Sequence, residues 1–398
     1  MSDRPPDTRL ERIAAGVSAR AEGVLLPVGM TVLAFLIGGL AVVAAGRNPF
    51  TAYRAIFNGT GLNYVLPWTS STDRTFAALN LQQTLLATTP LILTALAVAF
   101  AFRCGMFNIG GEGQYLVGLI CALWVGLHYP AMSKPLHVGL ACIASIVGGA
   151  VWGAIAGALK AAVGAHEVIS TIMLNWIAIF GGQYLFELGG PLQGAQASVP
   201  QSNEIANSAR IPAIWGTLQP LDAGIFIALG ALVVYWFVLN RTTLGFEVKA
   251  VGFNPEAARY AGISVSRNYI LALGIAGAFA GLAGAMDILG WEFSIATNDI
   301  QVSQIGFIGI AVALLGRGRA VGILLAALLF GGLSVGTSTR ALDPSVFPPE
   351  LAGNLATIIQ GLIVLFVGAE LLLVYVWRAR RTRPARPRPA ATIAETPL

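Results

Sequence analysis

Residues 82–102 read QQTLLATTPLILTALAVAFAF, an unbroken run without a charged side chain. At about 1.5 Å of rise per residue, such a run as a helix matches the ~30 Å hydrocarbon core of a bilayer, so it reads as a membrane span. Comparable runs lie at 25–45, 110–128, 137–160, 168–188, 222–239, 268–289, 302–316, 320–336 and 352–376. The pair 302–316 and 320–336 is short and nearly contiguous, which leaves a hairpin or a re-entrant pair open there. Over all 398 residues, 56% are hydrophobic and 11% charged, with a mean hydropathy of +0.73. Ordinary soluble domains hold about 45–50% apolar and roughly 25% charged residues. The expected fold is all-α, a polytopic membrane protein of about ten transmembrane helices with little left for a soluble domain.

The charges orient these spans. With the N-terminus in the cytoplasm, 18 of the 24 Lys and Arg fall on inside segments, among them Arg103, Lys160, Arg241, Arg259, Arg317, Arg319 and six arginines from Arg378 to Arg388. The outside keeps Arg47, Arg54, Arg74, Lys134, Arg210 and Arg340. A bias of this kind over short loops places both termini inside and makes the number of spans even. Three parts follow: a cytoplasmic segment 1–24, a transmembrane domain 25–376, and a basic Pro/Arg-rich tail 377–398 that cannot build a core and is expected to be disordered in the cytoplasm. The tail reads as a topology anchor, not as a nucleic-acid site. Two longer outside segments, 46–81 and 189–221, serve either as connections or as a landing surface for an extracytoplasmic partner.

Little enzymatic chemistry is on offer. Cys104, Cys121 and Cys142 are far apart, without a C-x-x-C pair, and no histidine pair has metal-ligand spacing, because Ser170 stands where a His166-Glu167 motif would need its second histidine. No catalytic and no metal-binding residue is assigned. Nor is there a G-x-x-x-x-G-K-[ST] phosphate loop, since none of Lys134, Lys160 or Lys249 follows a glycine. Energy for transport has to come from a partner chain or an ion gradient.

The inside segment 240–267 carries its own punctuation. Asn254 suits an N-cap, Pro255 the first helical position, and Glu256 the positive end of the helix dipole; Ala257, Ala258, Arg259 and Tyr260 continue the turn until Gly262 ends it. A short capped helix between two spans is a docking element more than a free linker. Together with FRCGMFNIGGEGQ (102–114), EVISTIMLNW (167–176), GAFAGLAGA (277–285) and GFIGIAVALLG (306–316), the AVGFNPEAARYAGI stretch (250–263) resembles the membrane permease subunits of ATP-binding-cassette importers in the branch serving simple sugars, nucleosides and branched-chain amino acids. The FNIGxEGQ form is most similar to nucleoside-type permeases that work with a lipoprotein receptor. The resemblance implies that 254–262 is a coupling helix docked on a cytoplasmic ATPase subunit. It also implies a second permease subunit, homologous and not identical, and an extracytoplasmic substrate-binding lipoprotein. This chain would hold no cofactor of its own, ATP being used by the ATPase. One departure is the turn 316–322, which lacks the proline relatives often have before its last glycine.

Within the spans, Gly105 to Gly113 contains four glycines in nine residues, each weakening helix by about 1 kcal/mol relative to alanine. A broken helix is expected there, with Asn108, Glu112 and Gln114 as side-chain partners for a polar solute, or alternatively as a gate or a subunit contact. Glu167, Thr171 and Asn175 share one helical face at four-residue spacing. Asn175 is the leading pathway residue, against the plainer role of a helix-to-helix hydrogen bond. Gln304 and Gln360 are weaker candidates of the same kind. Asp287 and Glu292 are expected in water at the outer end of the seventh span. Gly149, Gly153 and Gly157, and Gly277 with Gly281, have the G-x-x-x-G spacing of helix-packing faces.

The function expected is a permease subunit in the cell (cytoplasmic or inner) membrane, in contact with its lipids, that forms the pathway for a small polar solute, first a nucleoside and second a simple sugar, by alternating access. The rival reading is an ion-gradient-driven secondary transporter or channel. An integral-membrane enzyme would need convergent catalytic groups that the sequence does not supply.

Overall fold

The computed structural model describes residues 9–196, 198–216, 220–338 and 349–368. Over these the chain is a helical bundle, in order α1 (Arg9–Ala44), α2 (Pro49–Gly59), α3 (Ser71–Arg103), α4 (Gly111–His128), α5 (Lys134–Val163), α6 (Glu167–Phe186), α7 (Gly224–Arg241), α8 (Thr243–Phe253), α9 (Pro255–Tyr260), α10 (Val265–Asp287), α11 (Thr297–Val302), α12 (Ile305–Leu315), α13 (Ala320–Gly336) and α14 (Pro349–Gly368). A two-stranded antiparallel ribbon, β1 (Ala213–Trp215) with β2 (Leu221–Asp222), interrupts it before α7. Among the described residues, seven helical stretches are long and apolar enough to cross a membrane; α13 and Gly353–Gly368 are shorter apolar helices. The tail 377–398, Arg340 and the last part of the span read at 352–376 lie outside the described residues.

The helix that carries the 82–102 run is the axis of the bundle. From Leu91 to Ala101 every side chain of α3 is buried, because α10, α12 and α13 pack around it on different sides. That explains why the run is apolar on all faces. Among the described residues the most extensive helix contact joins α10 to α5, and small residues make it possible. The Ser145 hydroxyl donates to the Gly281 carbonyl, and a Cβ placed on Gly149 would fall on the Gly277 carbonyl oxygen and 2.8 Å from Gly281 Cα. At Gly153 it would strike the Leu273 carbonyl, and at Gly157 it would sit 2.7 Å from the Tyr269 carbonyl. The two backbones touch along three turns, close enough for van der Waals attraction to hold them in lipid.

The two longer segments read as outside, 46–81 and 189–221, hold more structure among their described residues than hydropathy alone implies. Within 46–81, α2 starts at a cap in which the Phe50 N–H donates to Asn48 Oδ1 (2.9 Å), and α3 begins eleven residues ahead of its apolar run, capped by Ser70 Oγ accepting from the Asp73 N–H (3.2 Å). Hydropathy detects the apolar part of a helix, whereas caps fix where it starts. At the other end of the chain α1 runs back to Arg9, well into the segment read as a separate cytoplasmic stretch.

Segment 189–221 is stitched to the chain that follows α10. Ser202 N–H donates to the Ile295 carbonyl and Ile205 N–H to the Phe293 carbonyl, both at 2.9 Å, while Gln201 pairs with Ala296. Ile205 and Ala209 are buried against α4 and α5. His137 belongs to this seam: its Nε2 donates to the Val125 carbonyl (3.0 Å), and its Nδ1 lies 2.9 Å from Ser208 Oγ.

One expectation is corrected. Asp287 is 1% exposed, not solvated; it accepts from the Tyr115 hydroxyl (2.7 Å) and from Trp291 Nε1 (3.1 Å), and a single π-type turn, Ile288–Glu292, carries Glu292 into a half-buried position. Both acids fall at an apolar boundary in the sequence, but the stitched segment covers the helix end and removes it from water.

Replacing Gly149 or Gly277 by valine is expected to force α5 and α10 apart and destabilise the protein by about 1–3 kcal/mol, the usual range for overpacking. Thermal unfolding in detergent measures this; Gly139→Ala, where a Cβ meets nothing within 4 Å, is the neutral control.

Candidate functional site

Between α3 and α4 the chain leaves the helix for seven residues, 104–110, and turns inward. Gly105 takes φ +72°, and a Cβ there would sit 3.2 Å from Gly252 Cα on α8, so the turn requires both glycines. Met106 and Asn108 are buried. Non-helical backbone inside an apolar bundle must find hydrogen-bond partners from side chains, and the residues singled out in the sequence supply them.

Asn108 Oδ1 accepts from the Gly110 N–H (3.0 Å), and its amide exchanges a pair of hydrogen bonds with the amide of Gln114 (3.0 and 3.2 Å). From α6, Asn175 reaches across: its Oδ1 accepts from the Gly113 N–H (2.8 Å), and its Nδ2 donates to the Ile109 carbonyl (2.9 Å). Thr171 donates within α6 to the Glu167 carbonyl (2.7 Å) and lies where a Cβ on Gly110 would meet it at 3.0 Å. Glu167 closes the N-terminal end of α6 by an ion pair with Lys160 of α5 (2.6 Å).

Glu112 does something different. The first N–H groups of a helix lack partners inside it, and Gln304, the N-cap of α12, makes no side-chain capping bond. Glu112 Oε2 accepts from the Gly306 N–H (2.8 Å), so a carboxylate on α4 caps α12, where the helix dipole also favours a negative charge. Gly111 and Gly306 allow this close approach. The other oxygen, Oε1, has no partner among the described residues. Within the span read at 302–316 the helix α12 thus starts only after a break at Ser303-Gln304, and the short α11 precedes it.

Five of the pathway candidates, Asn108, Glu112, Gln114, Thr171 and Asn175, are therefore buried and engaged with one another or with backbone. Gln304 is exposed at the α11–α12 break, and Gln360 donates to Ser334 Oγ (3.3 Å) between α14 and α13.

The second constellation is the short helix α9. Asn254 Oδ1 accepts from the N–H groups of Glu256 and Ala257 (3.0 Å each), Pro255 is the first helical residue, and Gly262, φ +82°, follows the end. Ala258 is its one buried residue; Tyr260 at 95% and the preceding Phe253 at 94% exposure project two aromatic rings from the end of the bundle. Sequence reasoning passed over Phe253, although an aromatic side chain just before a capped polar turn is a signal in itself. It also passed over Glu247 and Asn268. Asn268 Nδ2 donates to Glu247 Oε2 (3.1 Å), joining α8 to α10 beside Cys104, whose Sγ lies 3.8 Å from the Asn268 carbonyl. Through Gly252 against Gly105 the helix before α9 is packed directly on the broken segment, and the Asn268–Glu247 bond ties the same helix to α10.

The family model described as "Branched-chain amino acid transport system / permease component" matches residues 80–368, and the chain belongs to that family. It is 39% identical over 360 residues to "Guanosine ABC transporter permease protein NupP" of Bacillus subtilis, covering 90% of this chain and 96% of that one. It is 36% identical over 359 residues to "Nucleoside ABC transporter permease protein NupB" of Lactococcus lactis, covering 88% and 92%. Identity is also 36%, over 351 residues and 85% of each chain, to "Glucose ABC transporter permease protein TsgB13" of Haloferax volcanii. The chain is a multi-pass permease of the cell membrane, of the ATP-binding-cassette type.

Asn175→Ala would leave the Gly113 N–H and the Ile109 carbonyl without their partners, at about 1–3 kcal/mol for each orphaned group. The expected result is faster hydrogen exchange confined to 109–113 and a lower unfolding temperature. Gln304→Ala, which removes no internal bond, should leave both unchanged.

Proposed function

We propose that this chain is one of two permease subunits of an ATP-driven importer for nucleosides, with a simple sugar as the second choice of solute. The relatives' names supply the solute class. The observation that carries the coupling is the contact of Gly252 with Gly105, by which the helix leading into α9 bears on the non-helical segment at the centre of the bundle. An ATPase subunit that moves α9 would move that segment with it. Phe253, Tyr260, Glu256 and Arg259 are the contacts offered to it, in a form suited to a cleft: aromatic anchors beside charged rim groups. The chain itself contributes no catalytic group and no cofactor, and ATP is used by the separate ATPase.

Ten spans fit this reading: the seven long apolar stretches, α4, whose first turn is polar because Glu112 and Gln114 serve the broken segment, and the two shorter helices α13 and α14. An even count, with the excess of Lys and Arg on the side of α9, puts both termini in the cytoplasm. A receptor lipoprotein would meet the opposite end, where segment 189–221 forms a bonded surface. A homologous second permease would complete the pathway. Gln304, exposed at the α11–α12 break, is the residue to which we assign contact with the solute; Asn108, Glu112, Gln114, Thr171 and Asn175 hold the break that shapes the pathway.

Reconstituted with its ATPase and second permease, the chain should support ATP-dependent nucleoside uptake into vesicles in the presence of the receptor. An Arg259→Glu, Glu256→Lys double exchange, both on an exposed helix, should leave the bundle folded and lower uptake at least tenfold, with loss of the ATPase on purification. Uptake that follows a proton or sodium gradient without ATP would overturn the assignment.

A further inference from the structure

We infer that Phe307 and Gln304 receive the solute's nucleobase, the Phe307 ring against the face of the base and the Gln304 amide against its edge. This rests on the nucleoside reading above and adds the means of recognition. The break before α12 lies at the middle of the membrane. α12 has 11 residues, about 16 Å of rise, before the arginine-bearing turn 316–319. α3 gives the same depth independently. Thr94 Oγ1 is 3.4 Å from the Ile305 carbonyl oxygen, and about 14 Å of helix separates Thr94 from Arg103, which donates to the Gly318 carbonyl of that turn. Half of a ~30 Å hydrocarbon core is about 15 Å. Gln304 is exposed at this level, and so is Gln301 on the other side of the break. A primary amide turned to hydrocarbon would leave its donors and its acceptor unmatched, so this face borders a polar space and not lipid.

Phe307 is the neighbour of Gln304 on the same helix face, three positions on, and is 44% exposed. Its backbone is held from two directions. Gly306 lies against the Glu112 backbone and gives its N–H to Glu112 Oε2 (2.8 Å), and a Cβ on Gly309 would stand 2.6 Å from Thr94 Oγ1. The turn that carries the ring is thus fastened to α4 and to α3, and little order remains to be imposed when a flat solute lands on it. At the same break Glu112 Oε1 and Ser303 Oγ complete no hydrogen bond among the described residues, so the polar capacity there exceeds what the fold consumes. Chemistry selects the occupant. A nucleobase has a π face, which stacks on an aromatic side chain whatever the base, and a rim of donors and acceptors, which a primary amide can pair with two at a time. A simple sugar has hydroxyls for Gln304 but no π face for Phe307.

The test uses the complete transporter in vesicles, with its ATPase, second permease and receptor, and radiolabelled guanosine at a concentration that saturates the receptor. Absence of ATP-dependent uptake by the unaltered assembly would overturn the nucleoside reading and this inference with it; with uptake present, the variants test the inference alone. Phe307→Leu should lower uptake at least fivefold, the low end of what stacking a base on an aromatic side chain is worth, whereas Phe307→Tyr, which keeps the ring, should lower it less than twofold. Gln304→Ala should also lower it at least fivefold. Full uptake by Phe307→Leu or by Gln304→Ala would overturn the inference, as would equal losses in the Leu and Tyr variants. So would loss of the second permease when the Phe307→Leu assembly is purified, because the face would then be a subunit contact. Phe307→Cys should react with a charged methanethiosulfonate during ATP turnover, above the background of the three native cysteines, and at least threefold more slowly when guanosine is present. A thiol that stays unmodified would show the position covered by lipid or protein and overturn the inference.

Discussion

Backbone that leaves the helix inside a membrane must be given partners, and residues 104–110 show how much of a protein that requirement can organise. Asn108 and Gln114 bond to each other, Asn175 ties Ile109 and Gly113 to α6, and Glu112 passes the same service on to α12. Polar side chains at this depth are costly when unpaired. Here they are the reason that three helix ends can meet in the interior. The glycines complete the arrangement, since Gly105 against Gly252 and Gly111 against Gly306 bring backbone to backbone where no side chain fits.

The apolar runs, the glycine spacing and the capped helix at 254–262 could be read directly from the residues because each has a local cause: length, repeat or cap. Asn254 bonds as its position requires, and Gly149, Gly153 and Gly157 lie against α10. The fate of the buried polar residues was not readable in the same way. A carboxylate in an apolar stretch looks like a ligand for a solute, and only three-dimensional packing reveals that the N-terminus of α12 lies across from Glu112 and needs an acceptor. Asp287 taught the converse: its place at the edge of an apolar run suggested water, whereas Tyr115 and Trp291 enclose it.

Electrostatics divides the molecule by end. Arg103 and Arg319 gather at the turn 316–319, the Lys160–Glu167 pair closes α5 onto α6, and α9 stands beyond them with its aromatic rings exposed. The opposite end has Arg210 over the ring of Phe293 at 4.3 Å and paired with Glu204 at 2.7 Å, binding segment 189–221 to the chain beyond α10. Cations at one end gather at a turn, and the cation at the other holds a loop.

That stitched segment has a mechanical consequence. Because Ser202, Ile205 and Gln201 are bonded to 293–296, and α10 runs from the adjoining π turn back to the turn beside α9, the stitched segment and the short exposed helix lie near the two ends of one helix. That helix is held along its middle by the glycine contact with α5, where backbone meets backbone. A displacement of either end is thereby constrained at a place where no side chain is present to yield.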